Sequence, residues 1–248
     1  MSDVLAGALY QNIQETNEVR TFDRWHASSI SECPKSHYMK RLGVKGYTTI
    51  GGGKMLRWKA GHLYEQAIRP HLESIFPDLR SNERLESDTL DLTGEYDNYS
   101  EANKLLIEVK TVHDRAFKYR KVGDNRFHLR DEQPYLNHLL QNHCYVELLR
   151  EKGLPVEHIA FIYMTLDGRI ATYKVDTDTM MTAEVRRRLK TLNTAWATKT
   201  PPECICNKEH PLWGSTTQFC DYRQGDTCCE IKTTTTTNEV DTSDWTQV

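Results

Sequence analysis

The chain has 248 residues. None of its apolar runs approaches the roughly 20 consecutive apolar residues that a membrane-spanning helix needs. Its first twenty residues, MSDVLAGALYQNIQETNEVR, lack the basic start and apolar core of a secretory leader. A cytoplasmic location is therefore expected. Net charge is also scarce: a formal value of −3 excludes a uniformly basic nucleic-acid coat but leaves room for a local basic groove. No internal repeat is present. The seven cysteines are an odd number, and without a leader they do not read as a disulfide framework. With 27% charged and 38% hydrophobic residues, the chain reads as a globular protein able to bury a core without covalent staples.

A coarse pass along the chain predicts an α/β domain. A short amphipathic helix is expected over 1–20. SSISECPKSHYMKRLG (28–43) predicts a helix with Ser31 as its cap and Pro34 in the first turn. The GGG at 51–53 predicts a hinge or loop. Met55, Leu56, Leu63, Ile68, Leu72 and Ile75 keep a helical period, and Pro70 is expected to kink or divide that helix. Residues 83–97 read as one strand or two short ones, NKLLIEVKTV as a strand, and KVGDNR (121–126) as a loop. A helix follows over 132–151, with Leu136, Leu139, Leu140, Val146 and Leu149 on its apolar side. EHIAFIYMTLDGRIATYKVD predicts a hairpin turning at Asp167-Gly168. Residues 177–198 read as a helix ended by Pro201 and Pro202. The polar run from Lys232 onward predicts a disordered tail.

The strand LLIEVK (105–110) poses the chemical question, because Glu108 and Lys110 interrupt an apolar run. Strand alternation puts Leu105, Ile107 and Val109 on one face and Leu106, Glu108 and Lys110 on the other. Asp97, at the end of the preceding strand, can add a second carboxylate. Oxygen donors of this kind suit Mg²⁺ or Mn²⁺ and not zinc, and a lysine beside them can stabilise charge on a reacting phosphate. An exposed strand edge carrying Glu and Lys to prevent edge pairing is the competing explanation. On the preceding helix, His62 and Glu65 are three residues apart and share a face, and on the later helix Gln141 and Tyr145, four apart, do the same. Residues 110–130 hold Lys110, Arg115, Lys118, Arg120, Lys121, Arg126 and Arg130 against only Asp114 and Asp124, with Phe117, Tyr119 and Phe127 interleaved. Such a segment can contact phosphates and stack on unpaired bases, or it can be a solvated basic loop.

The ordered set Gly61-x-x-x-Glu65, Gly94-x-x-Asp97, Glu108-x-Lys110 and Gln141-x-x-x-Tyr145 resembles the RecB-type nucleases of the PD-(D/E)XK superfamily, over roughly residues 28–230. The resemblance implies a central mixed β-sheet flanked by helices. It implies that Glu65, Asp97 and Glu108 bind the catalytic metals, that Lys110 is the catalytic lysine, and that Gln141 and Tyr145 position the nucleic-acid strand. The histidine common in the first motif is replaced here by Glu65, with His62 nearby as a further candidate ligand. Arg115, Lys118, Arg120 and Lys121 are candidate substrate contacts.

Cys204, Cys206, Cys220, Cys228 and Cys229 crowd into 26 residues, with Cys33 far upstream. Their spacing (C-x-C, thirteen residues, Cys220, seven residues, Cys228-Cys229) is irregular for a zinc ribbon, although zinc stays open. ECPKSHYMKRLG and FCDYRQGDTC are similar to segments of the iron–sulfur RecB-type nucleases, which include AddB-type subunits and CRISPR-adaptation nucleases. That resemblance implies a [4Fe–4S] cluster held by Cys33, Cys206, Cys220 and Cys228, with Cys204 and Cys229 as rival ligands, closing the cysteine-rich segment onto the N-terminal helical part. Cys144 is expected in the core.

The expectation is thus a single RecB-like nuclease domain over 1–231, made of an N-terminal helical part (28–60), a nuclease core (61–198) and a cysteine-rich segment (199–231), followed by a tail (232–248). The implied activity is Mg²⁺- or Mn²⁺-dependent exonuclease action on DNA, on single-stranded ends, in recombination, repair or phage DNA processing, with a helicase or recombination protein as a possible partner. A catalytically silent DNA- or partner-binding module and a structure- or sequence-specific endonuclease are the competing readings.

Overall fold

In the computed structural model the chain builds a six-stranded mixed sheet with helices on both faces. The structure describes residues 23–44, 52–112, 117–119, 127–129, 134–205, 222–224 and 227–228. The expected helix over 1–20 and the tail from 232 lie outside them.

In chain order the elements are β1 (Trp25–His26), a 3₁₀ turn (Ala27–Ser29), α1 (Pro34–Arg41), α2 (Gly52–Ile75), β2 (Leu79–Ser87), β3 (Leu92–Ser100) and β4 (Leu105–Thr111). Then follow β5 (Phe117–Tyr119), β6 (Phe127–Leu129), α3 (Leu136–Glu151), β7 (His158–Met164), β8 (Ile170–Asp176), α4 (Thr179–Ala197), β9 (Arg223–Gln224) and β10 (Thr227–Cys228). The large sheet runs β1-β3-β4-β7-β8, with β2 also paired to β3. β4 and β7 are parallel, and α3 lies between them in sequence as the crossover.

Strand alternation divides the core in two. Leu105, Ile107 and Val109 join Ile162, Met164 and Leu72 of α2 in a smaller cluster. Leu106, Phe161 and Tyr163 face the larger cluster formed with α1, α3 and α4. Because α3 is sandwiched between sheet and α4, its residues 142–149 are all buried, where the leucine pattern alone predicts one apolar side. Two of the polar members are fully paired: His143 Nδ1 donates to the Leu139 carbonyl and Nε2 accepts from Asp178 N–H at 3.0 Å, while Glu147 takes Arg150 and Arg186.

Several expectations are corrected. The first helix begins at Pro34 with Cys33, not Ser31, at its N-cap position, and no side chain caps it. Gly52 onward is helical, so the triple glycine leads straight into α2. That helix is not divided at Pro70 but passes through it as one element; β4 packs along it and offsets the local cost of the proline. Residues 117–119 and 127–129 pair as a separate antiparallel ribbon around the expected loop. The 83–97 region is two full strands, β2 and β3, while the hairpin turning at Asp167-Gly168 is as expected, Gly168 supplying the positive φ of 86°. Asp178 caps α4 through Met180 N–H.

Arg41 fastens the N-terminal part to the rest. Its guanidinium lies 4.4 Å from the Trp25 ring centre and 4.3 Å from that of Trp196, and it pairs with Asp91. Each such stacking contact contributes about 0.5–2 kcal/mol. Tyr222 is buried in the same core and its hydroxyl donates to the Val44 carbonyl at 2.8 Å.

Candidate active site

The sheet splits where the acidic residues stand. β3 and β4 pair only at Asn98–Ile107, Tyr99–Leu106 and Ser100–Leu105. Beyond that point β3 continues beside β1 and β2, and β4 continues beside β7. The parting strands would leave Val109 N–H without a ladder partner. Asp97 supplies one: its Oδ2 accepts from Val109 N at 2.8 Å. The carboxylate thus bridges the mouth of the split, and Glu108 and Lys110 follow on the neighbouring strand.

Glu108 is buried, at 1% exposure, in a position that an apolar residue would fill by default. Burial raises its pKa first and the nearby Asp97 charge raises it further; Lys110 works in the opposite sense. Lys110 Nζ contacts Glu108 Oε1 and stands 3.9 Å from Asp97 Oδ2. Burial opposes the Lys110 ammonium, but Glu108 and then Asp97 outweigh it and its pKa is raised. Lysine is therefore held charged between two acids. Neither Glu108 oxygen accepts a well-aligned hydrogen bond.

Glu65 approaches from α2, close enough that Asp97, after burial itself, raises its pKa. It pairs with Arg69 at 3.2 Å and lies 3.8 Å from His62. The His62 ring is largely exposed and its one carboxylate neighbour among the described residues is Glu65, so it stands on the outer side of the group. Gly61 explains how α2 comes so near: a Cβ there would stand 3.0 Å from Thr111 Oγ1 at the end of β4.

Gln141 and Tyr145 prove to be one unit. Gln141 Nε2 donates to Tyr145 Oη at 2.8 Å. Tyr145 is buried, lying on Gly94, where a Cβ would come within 2.7 Å of its ring. The tyrosine therefore orients Gln141 and leaves only Gln141, half-buried, facing outward. The glycine of the second motif exists to admit that ring.

Two neighbours escaped the sequence reading. Tyr163 is the β7 partner of Lys110. Its hydroxyl accepts from Tyr135 N–H and bonds His138 Nδ1 at 3.0 Å. Burial, then Lys110, depress the His138 pKa to about 3, so the ring is neutral. Asn142, fully buried beside Gln141, is the other. A polar residue at a core position of an apolar helix was the available signal.

Arg115, Arg120 and Lys121 lie outside the described residues, and Lys118 belongs to β5, described by its backbone. Cys206, Cys220 and Cys229 also lie outside, and Cys228 is described as backbone in β10. Cys33 is buried in the larger core and Cys204 packs against that core. Cys144 is buried as expected, its thiol pKa raised by that burial.

The residues present suit a hard cation. Three carboxylates, Glu65, Asp97 and Glu108, stand against two cations, Lys110 and Arg69, among the described residues, and the Glu108 oxygens are buried. Among the described residues no three His, Cys, Asp or Glu side chains converge into a finished ligand set; Lys110 bridges Asp97 and Glu108.

No protein-family model matches the chain, and none of the curated proteins does. Among solved structures it is similar to one called SSO0001, with 15% identity, 89% of this chain and 98% of that one covered, and a TM-score of 0.47. It is similar to an alkaline exonuclease from Laribacter hongkongensis, with 9% identity, coverage of 76% and 93%, and a TM-score of 0.47. A third is a putative exonuclease from Eubacterium rectale, with 10% identity, coverage of 75% and 86%, and a TM-score of 0.48. No helix among the described residues is long and apolar enough to cross a membrane.

Proposed function

We propose that the chain hydrolyses phosphodiester bonds in DNA with Mg²⁺ or Mn²⁺, working from strand ends. The observation that carries this reading is Glu108, an acid buried in the split of the sheet beside Asp97 and tied to a lysine. A purely structural strand has no use for that arrangement, since burying a carboxylate costs several kcal/mol unless something repays it.

Asp97 and Glu108, with Glu65 at their side, would hold the cation, which when bound polarises a phosphoryl oxygen and acidifies a water. Lys110, kept as an ammonium, donates toward the negative charge that builds on the attacked phosphate. Gln141, oriented by Tyr145, offers its amide to the strand. The basic residues Arg115, Lys118, Arg120 and Lys121 are proposed phosphate contacts, and their excess predicts tighter binding at low salt. Action from ends follows from the resemblance carried by Gln141 and Tyr145. The resemblance carries over the proposal of a metal group held by Cys33, Cys206, Cys220 and Cys228, with Cys204 and Cys229 as rival ligands. Iron and zinc analysis of anaerobically purified protein decides between a cluster, zinc and neither.

The test is cleavage of end-labelled linear DNA with and without Mn²⁺, against a covalently closed circle. The parent should shorten the linear strand only with metal and spare the circle. Glu108→Gln and Lys110→Met should each lose about 100-fold or more in rate while keeping a cooperative unfolding transition. Variants that cut as fast as the parent would refute the assignment, and nicking of the circle would replace end-directed action by internal cleavage.

A further inference from the structure

As the β7 partner of Lys110, Tyr163 lies on the same face of the sheet as Glu108 and Lys110. It is fully buried. Its hydroxyl accepts from Tyr135 N–H at 3.1 Å and lies 3.0 Å from His138 Nδ1. A phenol has one proton to donate, and His138 Nδ1 is the acceptor within its reach. Were Nδ1 itself protonated, the buried phenol hydrogen would have nowhere to go. The pattern of bonds therefore makes Nδ1 the acceptor. Burial and the Lys110 charge keep the ring neutral, so its hydrogen is on Nε2. Nε2 makes no hydrogen bond among the described residues and is not sealed from solvent. Three rings hold this donor in place. His138 stacks on Tyr163 with ring centres 5.6 Å apart, and Tyr135 meets both edge-on at 5.5 and 5.6 Å. His138 also stands three residues before Gln141, so the two half-buried side chains share a face of α3. Packing alone does not ask for histidine here: a phenylalanine would fill the same stack without an open polar atom.

We propose that His138 is a substrate-binding residue whose Nε2–H donates to a non-bridging phosphate oxygen of the DNA strand bound beside Lys110. This rests on the reading of Glu108 and Lys110 as a phosphodiesterase site. A neutral donor suits the place. A second fixed cation next to Lys110 would repel the divalent ion that the carboxylates are to hold, whereas an imidazole N–H adds a phosphate contact without that charge. Tyr135 and Tyr163 fix ring and tautomer before DNA arrives, so the bond forms with little loss of side-chain freedom.

The test is cleavage of an end-labelled single strand at saturating Mn²⁺ by the full chain and by His138→Phe, His138→Ala and His138→Gln. Each protein also gives an unfolding curve and, without DNA, a calorimetric Mn²⁺ titration. His138→Phe should lower kcat/KM about 10-fold or more, the loss expected when a hydrogen bond to a charged oxygen is removed, with Mn²⁺ affinity within about twofold of the parent. His138→Gln, whose amide can carry an N–H toward the Nε2 position, should recover part of that loss. Neutral methylphosphonates placed at single phosphates of the strand should then find one position where the parent is slowed and His138→Phe is slowed no further. The alanine variant covers the case in which phenylalanine prevents folding. Phenylalanine and alanine variants that cut within about twofold of the parent would overturn the contact alone. So would variants slowed by the methylphosphonates at every position as the parent is, or a loss of rate that follows a loss of Mn²⁺ affinity. A parent that cuts nothing with Mn²⁺ would overturn the reading beneath it as well.

Discussion

Replacing Gly94 by alanine tests how tightly the site is packed. A Cβ at this position would stand 2.7 Å from Tyr145 Cε1 and 2.8 Å from Ala27 Cβ. Ordinary carbon contacts begin near 3.5 Å, so the methyl overlaps on both sides by more than half an ångström. The ring cannot simply swing away, because Tyr145 is 1% exposed and its hydroxyl holds Gln141. Overpacking of this kind costs about 1–3 kcal/mol, which for a chain of this length lowers the melting temperature by about 2–12 °C. The two overlaps can be separated. Tyr145→Leu relieves the first and Ala27→Gly the second, so Gly94→Ala should cost less in either background and least in both. Urea unfolding of the eight proteins gives the cycle. A Gly94→Ala variant within about 0.5 kcal/mol of the parent would refute the packing argument, as would an equal cost in all four backgrounds.

Other outcomes follow from the same geometry. Tyr145→Phe removes the acceptor for Gln141 Nε2, costs about 1 kcal/mol of stability, and lowers kcat/KM on DNA while the cation requirement is unchanged; steady-state kinetics at saturating Mn²⁺ read this, and unaltered kcat/KM would count against the role given to Gln141. His37 is buried, accepts from His26 N–H at 3.2 Å, and has its pKa lowered from 6.5 to about 3 by burial, then Lys40, His26 and Arg41. The unfolded chain therefore takes up a proton that the native chain refuses, and this contribution to stability, complete above pH 6.5, falls with pH by about 1.4 kcal/mol per unit down to about pH 3. Between pH 7 and 5 His37→Gln should lose about 2 kcal/mol less than the parent; equal losses in urea unfolding would contradict it.

Much of the framework was legible in the chain itself, because its signals are local. Asp167-Gly168 supplies the conformation a tight turn needs, Asp178 caps the helix that follows, and alternation along 105–110 assigns each side chain to a face whatever lies opposite. The spacing of Gln141 and Tyr145 likewise puts them on one side of one helix. The triple glycine misled, and Pro70 did not divide its helix, for the complementary reason: their local cost is small against the burial gained when α2 lies along β4, and only tertiary packing weighs the two.

The chemistry at the site depended on that packing. Sequence placed Glu108 and Lys110 on one strand face but could not show that β3 and β4 part there, that Asp97 caps the exposed N–H, or that the acid is buried. Burial is a property of what covers a residue, and the cover comes from α3, thirty residues later. The same helix separates Tyr145, packed away on Gly94, from Gln141, left facing outward.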